Sequence, residues 1–546
     1  MNHPAPRTPW WRDAVIYQVY IRSFADGNGD GIGDIAGLRT RLRHLRDLGV
    51  DALWINPWYA SPQVDAGYDV SDYRQIDPAF GTLTEAEDFL AEAHAHGLRV
   101  LVDLVPNHTS DQHRWFRQAL AAGPGSAARA RYHFHEGRGA HGELPPNNWQ
   151  SIFGGPAWTR VPDGQWYLHL FASAQPDLNW DHPEVRAEFE DILRFWLDRG
   201  ADGFRIDVAH GLTKDPALPD LAETDTEMLG SAQAADHPYF DRDATLAIYE
   251  TWRRITDSYD GERIFVAEAW VSSPERMARY LTPGRLHTAF NFGLLGCPWD
   301  APALRREIDA TFTALAATDS PPTWVLSNHD VVRHLTRYAR ELTSLADAKR
   351  AYGQPADLAL GLRRARAAAL LSLGLPGGAY VYQGEELGLE EVEDLPEEVW
   401  QDPSRLWADH TDPVRDGCRV PLPWSGEAAP FGFSPPDAHT APWLPQPAAW
   451  KDRTAEAQLG DPASTLEFYR EALRLRRALP DLGEGPMEWL PSDDGVLAFR
   501  RGEGVIVVVN TSSRLCALPA HGEVLLSSGP LEGDGLPGDT AVWLAG

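Results

Sequence analysis

The sequence predicts an α/β protein: a (β/α)8 barrel with an inserted loop domain after the third strand and a C-terminal antiparallel β domain. Three observations carry this. Eight strand-like apolar runs recur along the chain with helix-like patterns between them, and repeated β-then-α order argues a parallel sheet that eight units can close. One interval, Asn107 to Gly203, runs 96 residues, where one βα unit needs roughly 30. The last stretch alternates like antiparallel strands. A doubly wound open sheet is the other fold this order allows, but the glycine fingerprint expected after its first strand is missing.

The first strand is AVIYQVYIRSF (14–24). Ile35, Leu38, Leu42, Leu45 and Leu48 then recur three or four apart, with Arg39, Arg41, Arg43 and Arg46 between them. That spacing predicts one amphipathic helix over 35–48 with a solvated basic face. VDALWINPW (50–58) is the second strand. Thr82 and Glu85 form a capping box for a helix running to His96, which Gly97 stops. LRVLVDLVPNH (98–108) is the third strand, and residues 107–178, rich in Gly, Pro, His and Trp, read as the insertion. A helix follows from Pro183 to Arg199. The remaining strands are GFRIDVA (203–209), RIFVAEAW (263–270), HTAFNFGLL (287–295), TWVLSNHD (323–330) and GAYVYQGEELG (378–388). Residues 391–462 are irregular, a helix over 465–479 closes the barrel, and strands lie at 496–510 and 523–528. The expected division is barrel 1–106, insertion 107–178, barrel 179–479 and β domain 480–546.

Composition narrows the function. Of 546 residues, 43% are hydrophobic and 23% charged, enough for a packed core. The net charge of −30 disfavours nucleic acid and anionic membranes and suits a neutral substrate. With three lysines (Lys214, Lys349, Lys451), Schiff-base chemistry has few candidates. Three cysteines without a CxxC form no disulfide framework, and the N-terminus shows no basic region followed by an apolar stretch, so a cytoplasmic protein is expected. The run from Ala367 to Tyr382 is too short for a membrane span.

Barrel chemistry sits at the C-terminal ends of strands. There the chain places Asp103, Asn107 and His108, then Arg205 and Asp207, then Glu268, then His329 and Asp330. Arg205 and Asp207, two apart, share one strand face, and a guanidinium there is expected to keep Asp207 ionised, as a nucleophile requires. Glu268 lies one unit later, on a neighbouring strand ~4.8 Å away. Two carboxyls so placed can approach the ~5–5.5 Å separation of a retaining glycosidase, with Glu268 as an acid whose pKa burial raises. The competing reading is a set of structural salt bridges.

These residues lie in DLVPNH (103–108), GFRIDVAH (203–210), VAEAW (266–270) and SNHD (327–330), which resemble the four ordered sequence regions of the α-amylase superfamily, glycoside hydrolase family 13. QPDLNW (175–180) resembles the fifth region of its oligo-1,6-glucosidase and α-glucosidase branch. The resemblance implies Asp207 as nucleophile, Glu268 as acid/base and Asp330 as the carboxylate gripping the sugar 2- and 3-hydroxyls. Arg205, His108 and His329 would be hydrogen-bond donors to the substrate. GYD (67–69) would stack Tyr68 under the first glucose and bind its 4-hydroxyl through Asp69, with Arg419 of RDGCRVPLPW (415–424) pairing that Asp. Such a closed end implies exo-action. The family's Asn-Ala before this Arg is Gly417-Cys418 here. Trp58, Phe153 and Phe171 are candidate sugar platforms.

The resemblance therefore implies a retaining exo-α-glucosidase that releases α-glucose from short malto-oligosaccharides, with some transglucosylation. Alternatives on the same site are oligo-1,6-glucosidase, trehalose synthase or sucrose isomerase. Val208, after the nucleophile, is commoner among α-1,6-acting members, while Ala209-His210 departs from their pattern. A non-catalytic relative, such as the heavy subunit of amino-acid transporters, would lack the carboxylates, and all three stand here. No organic cofactor is expected, and the partner is a small oligosaccharide bound by a monomer or homodimer. DGNGDGIGD (26–34) spaces Asp26, Asn28, Asp30 and Asp34 as hard oxygen donors. The resemblance suggests a structural Ca²⁺, or Mg²⁺, with the Ile32 carbonyl as a further ligand. The plain alternative is a turn in which Asp34 caps the next helix. His94, His96, His133 and His135 form no zinc pattern, and the glutamates at 385–386 and 390–393 read as a solvated loop.

Overall fold

A computed structural model describes residues 9–222, 237–406, 415–483 and 485–546. The eight expected runs form one parallel sheet. Its strands are β1 (Val15–Val19), β2 (Ala52–Ile55), β3 (Arg99–Leu104), β4 (Gly203–Ile206), β5 (Ile264–Ala267), β6 (Thr288–Ala289), β7 (Thr323–Val325) and β8 (Gly378–Tyr382). The order is β6-β5-β4-β3-β2-β1-β8-β7, so the β1–β8 pairing curls the sheet into a nearly closed barrel. At the remaining seam, the Asn291 amide past β6 donates to the Thr323 carbonyl at 3.1 Å.

Strand alternation builds both core and mouth. Val15, Tyr17, Val19, Leu53, Ile55, Val100, Val102, Phe204 and Ile206 pack outward in the large core. Ile16, Ala52, Trp54, Leu101, Ile264, Val266, Phe290, Val325 and Tyr380 form a second cluster inside the barrel. Two residues further along five of the strands, the same inward series turns polar: Gln18, Asn56, Asp103, Glu268 and, past β7, Ser327 and His329. In β4 the series runs Gly203, Arg205, Asp207.

The 35–48 segment is two helices, α1 (Ile35–Thr40) and α2 (Leu42–Leu48), broken at Arg41 (φ −105°, ψ 0°). Arg41 is not on a solvated face. Its guanidinium lies 4.5 Å from the Trp424 ring centre and donates to the Gly432 carbonyl at 3.1 Å. Helix α3 (Leu83–Ala95) carries the Thr82/Glu85 capping box. Helix α4 (Pro183–Leu197) starts at a proline, as P at the first turn favours. Helix α5 is Ala244–Thr256 and α6 is Ala301–Leu315. Helix α7 (Leu358–Gly374) and α8 (Thr465–Ala478) complete the ring.

The inserted stretch carries a three-stranded antiparallel sheet of Phe134–His135, Trp166–Leu168 and Trp158–Arg160. Bridges His108–Asp177 and Tyr132–Leu178 bring its two ends together beside the barrel mouth. The C-terminal sheet has β9 (Met487–Trp489), β10 (Val496–Arg501), β11 (Val505–Asn510), β12 (Val524–Ser527) and β13 (Thr540–Ala545), ordered β9-β10-β11-β13-β12. It docks on α7, where Trp543 Nε1 donates to the Leu370 carbonyl at 3.1 Å.

The glutamate cluster is not a solvated loop. Glu385, Glu386 and Glu391 are buried. Glu386 accepts from the Tyr17 hydroxyl at 2.7 Å and Glu391 from the Arg333 amide at 2.8 Å. Burial pushes both Glu385 and Glu391 up to about 8. Cys297, Cys418 and Cys516 are free thiols. The first eight residues, on which part of the leader reading falls, lie outside the described residues, as do 407–414 of the irregular segment.

Candidate active site

One guanidinium organises the mouth. Arg205, on β4, donates from Nη1 to Asp207 Oδ1 at 2.6 Å and to Asp103 Oδ1 at 2.9 Å. Its Nη2 stands 2.8 Å from Glu268 Oε2. A single fork thus grips the two carboxylates of a would-be nucleophile and acid, and holds them one guanidinium apart. Burial works against the Arg205 charge, and Asp103, Glu268, Tyr68 and Asp207 override it. Asp207 is pulled both ways. Burial pushes its carboxyl well up, and Glu268 and Asp103 add to this against the pull of Arg205. One cation serving three carboxylates cannot keep all of them at their ordinary values. Asp103 is likewise pushed up to about 6 by burial, despite Arg205, Trp54 and Tyr68.

Glu268 is placed by the turn that follows β4. It accepts from the Val208 amide at 3.0 Å, and Trp270 Nε1 lies 3.3 Å from its other oxygen. Opposite, Asp330 accepts from Arg415 at 3.0 Å and Arg419 at 2.8 Å, with His329 Nε2 at 3.2 Å. Burial opposes its charge, but His329, Arg415 and Arg419 hold it far below the usual carboxylate range. Asp330 is the permanently charged member of the set.

Tyr68 stacks on His329, ring centres 5.3 Å apart, and its hydroxyl meets His329 Nε2 at 2.7 Å, Asp103 at 3.0 Å and Asn56 at 2.8 Å. Gln18 fixes the other His329 nitrogen at 2.8 Å. Burial holds His108 down to about 4, so the ring is neutral, and Gln175 contacts it at 3.1 Å. Phe171 packs on His108 at 5.0 Å and on Phe153 at 5.7 Å.

Two expectations need correction. Asp69 does not meet Arg419. It turns into its own loop, accepting from Ser61 Oγ (2.9 Å) and the amides of Val64 and Asp65 (3.0 Å each). The pair that forms instead is Asp65 and Arg415, 2.7 Å apart, with Gln175 also on Asp65 at 3.1 Å. Arg415 reaches Asp402 as well, at 2.9 Å, and lies 5.0 Å from the Phe153 ring centre. Carboxylates flank the GY turn, at 65 and 69, and arginines end the RDGCR run, at 415 and 419; spacing alone does not say which pair. The left-handed Ala66 and Gly67 (φ 50° and 102°) make the reversal between the two carboxylates. Trp58 is no sugar platform either: it is 1% exposed, packed on Trp196 and Phe89. Asp65, Arg415, Gln175, Gln18 and Asp402 were not singled out by the sequence.

The loop 26–34 is a web of Asx turns. Asp26 accepts the amides of Gly29 (2.7 Å) and Gly31 (2.9 Å), and Asp30 that of Ile32 (2.9 Å). Asp34 caps α1 through the Gly37 amide at 2.6 Å. Burial, with Asp26 and Asp30 nearby, pushes Asp34 up to about 6. Among the described residues no three acidic, His or Cys side chains converge on one ion-sized point.

Known proteins resemble this chain over most of its length. The alpha amylase catalytic-domain model matches residues 18–485. The "Probable alpha-glucosidase" of Rhizobium meliloti (strain 1021) is 39% identical over 517 residues, covering 91% of this chain and 88% of that protein. An oligo-1,6-glucosidase of Parageobacillus thermoglucosidasius is 33% identical over 553 residues, with 94% and 92% covered. The crystal structure of the alpha-glucosyl transfer enzyme XgtA superposes with a TM-score of 0.86 at 36% identity, over 99% of this chain and 100% of that one.

Proposed function

Since the chain belongs to the α-amylase superfamily, in its α-glucosidase and oligo-1,6-glucosidase branch, and is a glycoside hydrolase, we propose that it acts as a retaining, exo-acting α-glucosidase on maltose and short malto-oligosaccharides. The observation that carries this is the Arg205 fork between Asp207 and Glu268, with Arg415 linking Asp65 to Asp330.

In this reading Asp207 attacks the anomeric carbon of a terminal glucose. The glycosidic C–O bond breaks, and the Glu268 proton goes to the departing oxygen. Water then attacks the glucosyl–Asp207 ester, gives its proton to Glu268, and α-glucose leaves. Asp330 stays charged throughout, where oxocarbenium character develops. In this reading the Asp65–Arg415 pair closes the end of the site behind one glucose, and cleavage is from the non-reducing end. A sugar hydroxyl in place of water gives transglucosylation, a second reading favoured by the likeness to XgtA. Preference for α-1,6 links, as the Parageobacillus relative's name has it, is the other variant.

Calcium on loop 26–34 is part of the proposal. Asp26, Asn28, Asp30, the Ile32 carbonyl and Asp34 would hold it. The support is charge: among the described residues none of the three aspartates pairs with Arg or Lys, and Asp34 is desolvated. Adding Ca²⁺ to chelator-treated protein should raise its melting temperature; an unchanged melt removes the metal. A cytoplasmic monomer or homodimer completes the reading, supported by the free thiols; no described helix is long and apolar enough to cross a membrane.

The function is tested by anomer-resolved NMR on maltose, maltotriose, isomaltose, sucrose and trehalose. α-Glucose appearing first from maltose and maltotriose is the expected result. Isomerised disaccharide without free glucose, or β-glucose first, would overturn it.

A further inference from the structure

Val208 is a β-branched residue with φ +45°, immediately after Asp207 and 5% exposed. A β-branched residue rarely adopts this conformation, and such strain persists only where the surroundings enforce it. The enforcers are identifiable. Asp207 N–H donates to the Leu104 carbonyl on β3 at 2.9 Å, fixing the chain before Val208. Ala209 N–H donates to the Glu268 carbonyl at 2.8 Å and Gly211 N–H to the Val208 carbonyl at 2.8 Å, fixing the chain after it. The Val208 side chain packs in the cluster of Trp149, Leu170 and Tyr239. Gly211 has no room for a side chain, since a Cβ there would lie 2.7 Å from Val208 Cγ1.

The strained unit has one product: it aims the Val208 N–H at Glu268 Oε2, 3.0 Å away. We propose that Val208 is a positioning residue whose left-handed backbone holds the Glu268 carboxylate through this amide, so that the segment carrying the nucleophile also controls the acid/base. This rests on the glycosidase reading above. The charged groups facing Glu268 are Arg205 and Asp207 from β4, with Asp103 from β3 behind Arg205 and Asp330 across the mouth; His210 donates to the Glu268 main-chain carbonyl. The neutral donors to the carboxylate are the Val208 amide, on Oε2, and the Trp270 indole, 3.3 Å from Oε1. An N–H bonded to a carboxylate favours its charged form. Losing it leaves the proton on the acid to higher pH.

The test separates backbone from side chain. Replacing valine 208 with its α-hydroxy analogue by nonsense suppression gives an ester that keeps the side chain and lacks the N–H. The basic limb of kcat/KM for maltose should move to higher pH by about one unit, the size of one charge-assisted hydrogen bond. Val208→Gly keeps the N–H and accepts φ +45° without strain, so its limb should stay with wild type. An ester at position 209, which removes the bond to the Glu268 carbonyl instead, controls for general loosening and should also leave the limb in place. An unmoved limb in the 208 ester, or an equal shift in the glycine variant or the 209 ester, would overturn the proposal. Wild type without maltose hydrolysis would instead sink the glycosidase reading itself.

Discussion

At the scale of residues, the site divides one cation among competing acids. Asp330 is held charged by two arginines, with His329 beside it, whereas Asp207, Glu268 and Asp103 share Arg205. Asp207→Asn should lower kcat by about a thousandfold or more without changing the melt, since residues acting as one unit fail together. Arg415→Ala should raise KM by about tenfold or more, equivalent to ~1.4 kcal/mol, because Asp65 and Asp330 lose their shared partner. Steady-state kinetics on maltose read both, and an unchanged KM would remove Arg415 from the pocket. The three carboxylates were legible because strand-end positions and ordered motifs specify them. The Asp65–Arg415 pairing was not, because it depends on which side of a tight turn each carboxylate falls.

At the scale of elements, the alternation of inward residues explains how an apolar barrel floor ends in a polar mouth. All eight strands were legible from apolar runs. The break between α1 and α2 was not, because Arg41 leaves the helical pattern for a ring that lies far along the chain. The buried glutamates at 385, 386 and 391 escaped the same way, since their partners are tertiary. The join between insertion and barrel rests on Lys214, 5% exposed, 2.8 Å from fully buried Asp177 and also 2.8 Å from Asn107 Oδ1. Breaking a buried pair on one side costs roughly 3–5 kcal/mol. Lys214→Met should therefore lower the melting temperature by calorimetry, and adding Asp177→Asn should recover part of the loss. A Lys214→Met variant that melts with wild type would show that the pair carries no stability.

At the scale of the whole molecule, buried titrating groups set a pH window. Burial holds His108 and His113 down to about 4, and His210 and His334 down to about 3. Their stabilisation is present above the ordinary value of 6.5 and is lost as pH falls toward those values. Glu385 and Glu391, raised to about 8, act oppositely: their contribution is present below 4.5 and is lost as pH rises through about 8. Melting temperature should therefore peak near neutrality. Glu391→Gln, which keeps an acceptor for the Arg333 amide, should flatten the decline on the alkaline side; a decline as steep as wild type would show that Glu391 is not its source.

The whole reading rests on a covalent bond between glucose and Asp207. Incubation with 5-fluoro-α-glucosyl fluoride, followed by peptide mass mapping, should find one glucosyl ester, on Asp207 of the 203–210 segment. An ester on another carboxylate, or none while hydrolysis of maltose yields β-glucose first, would contradict the account.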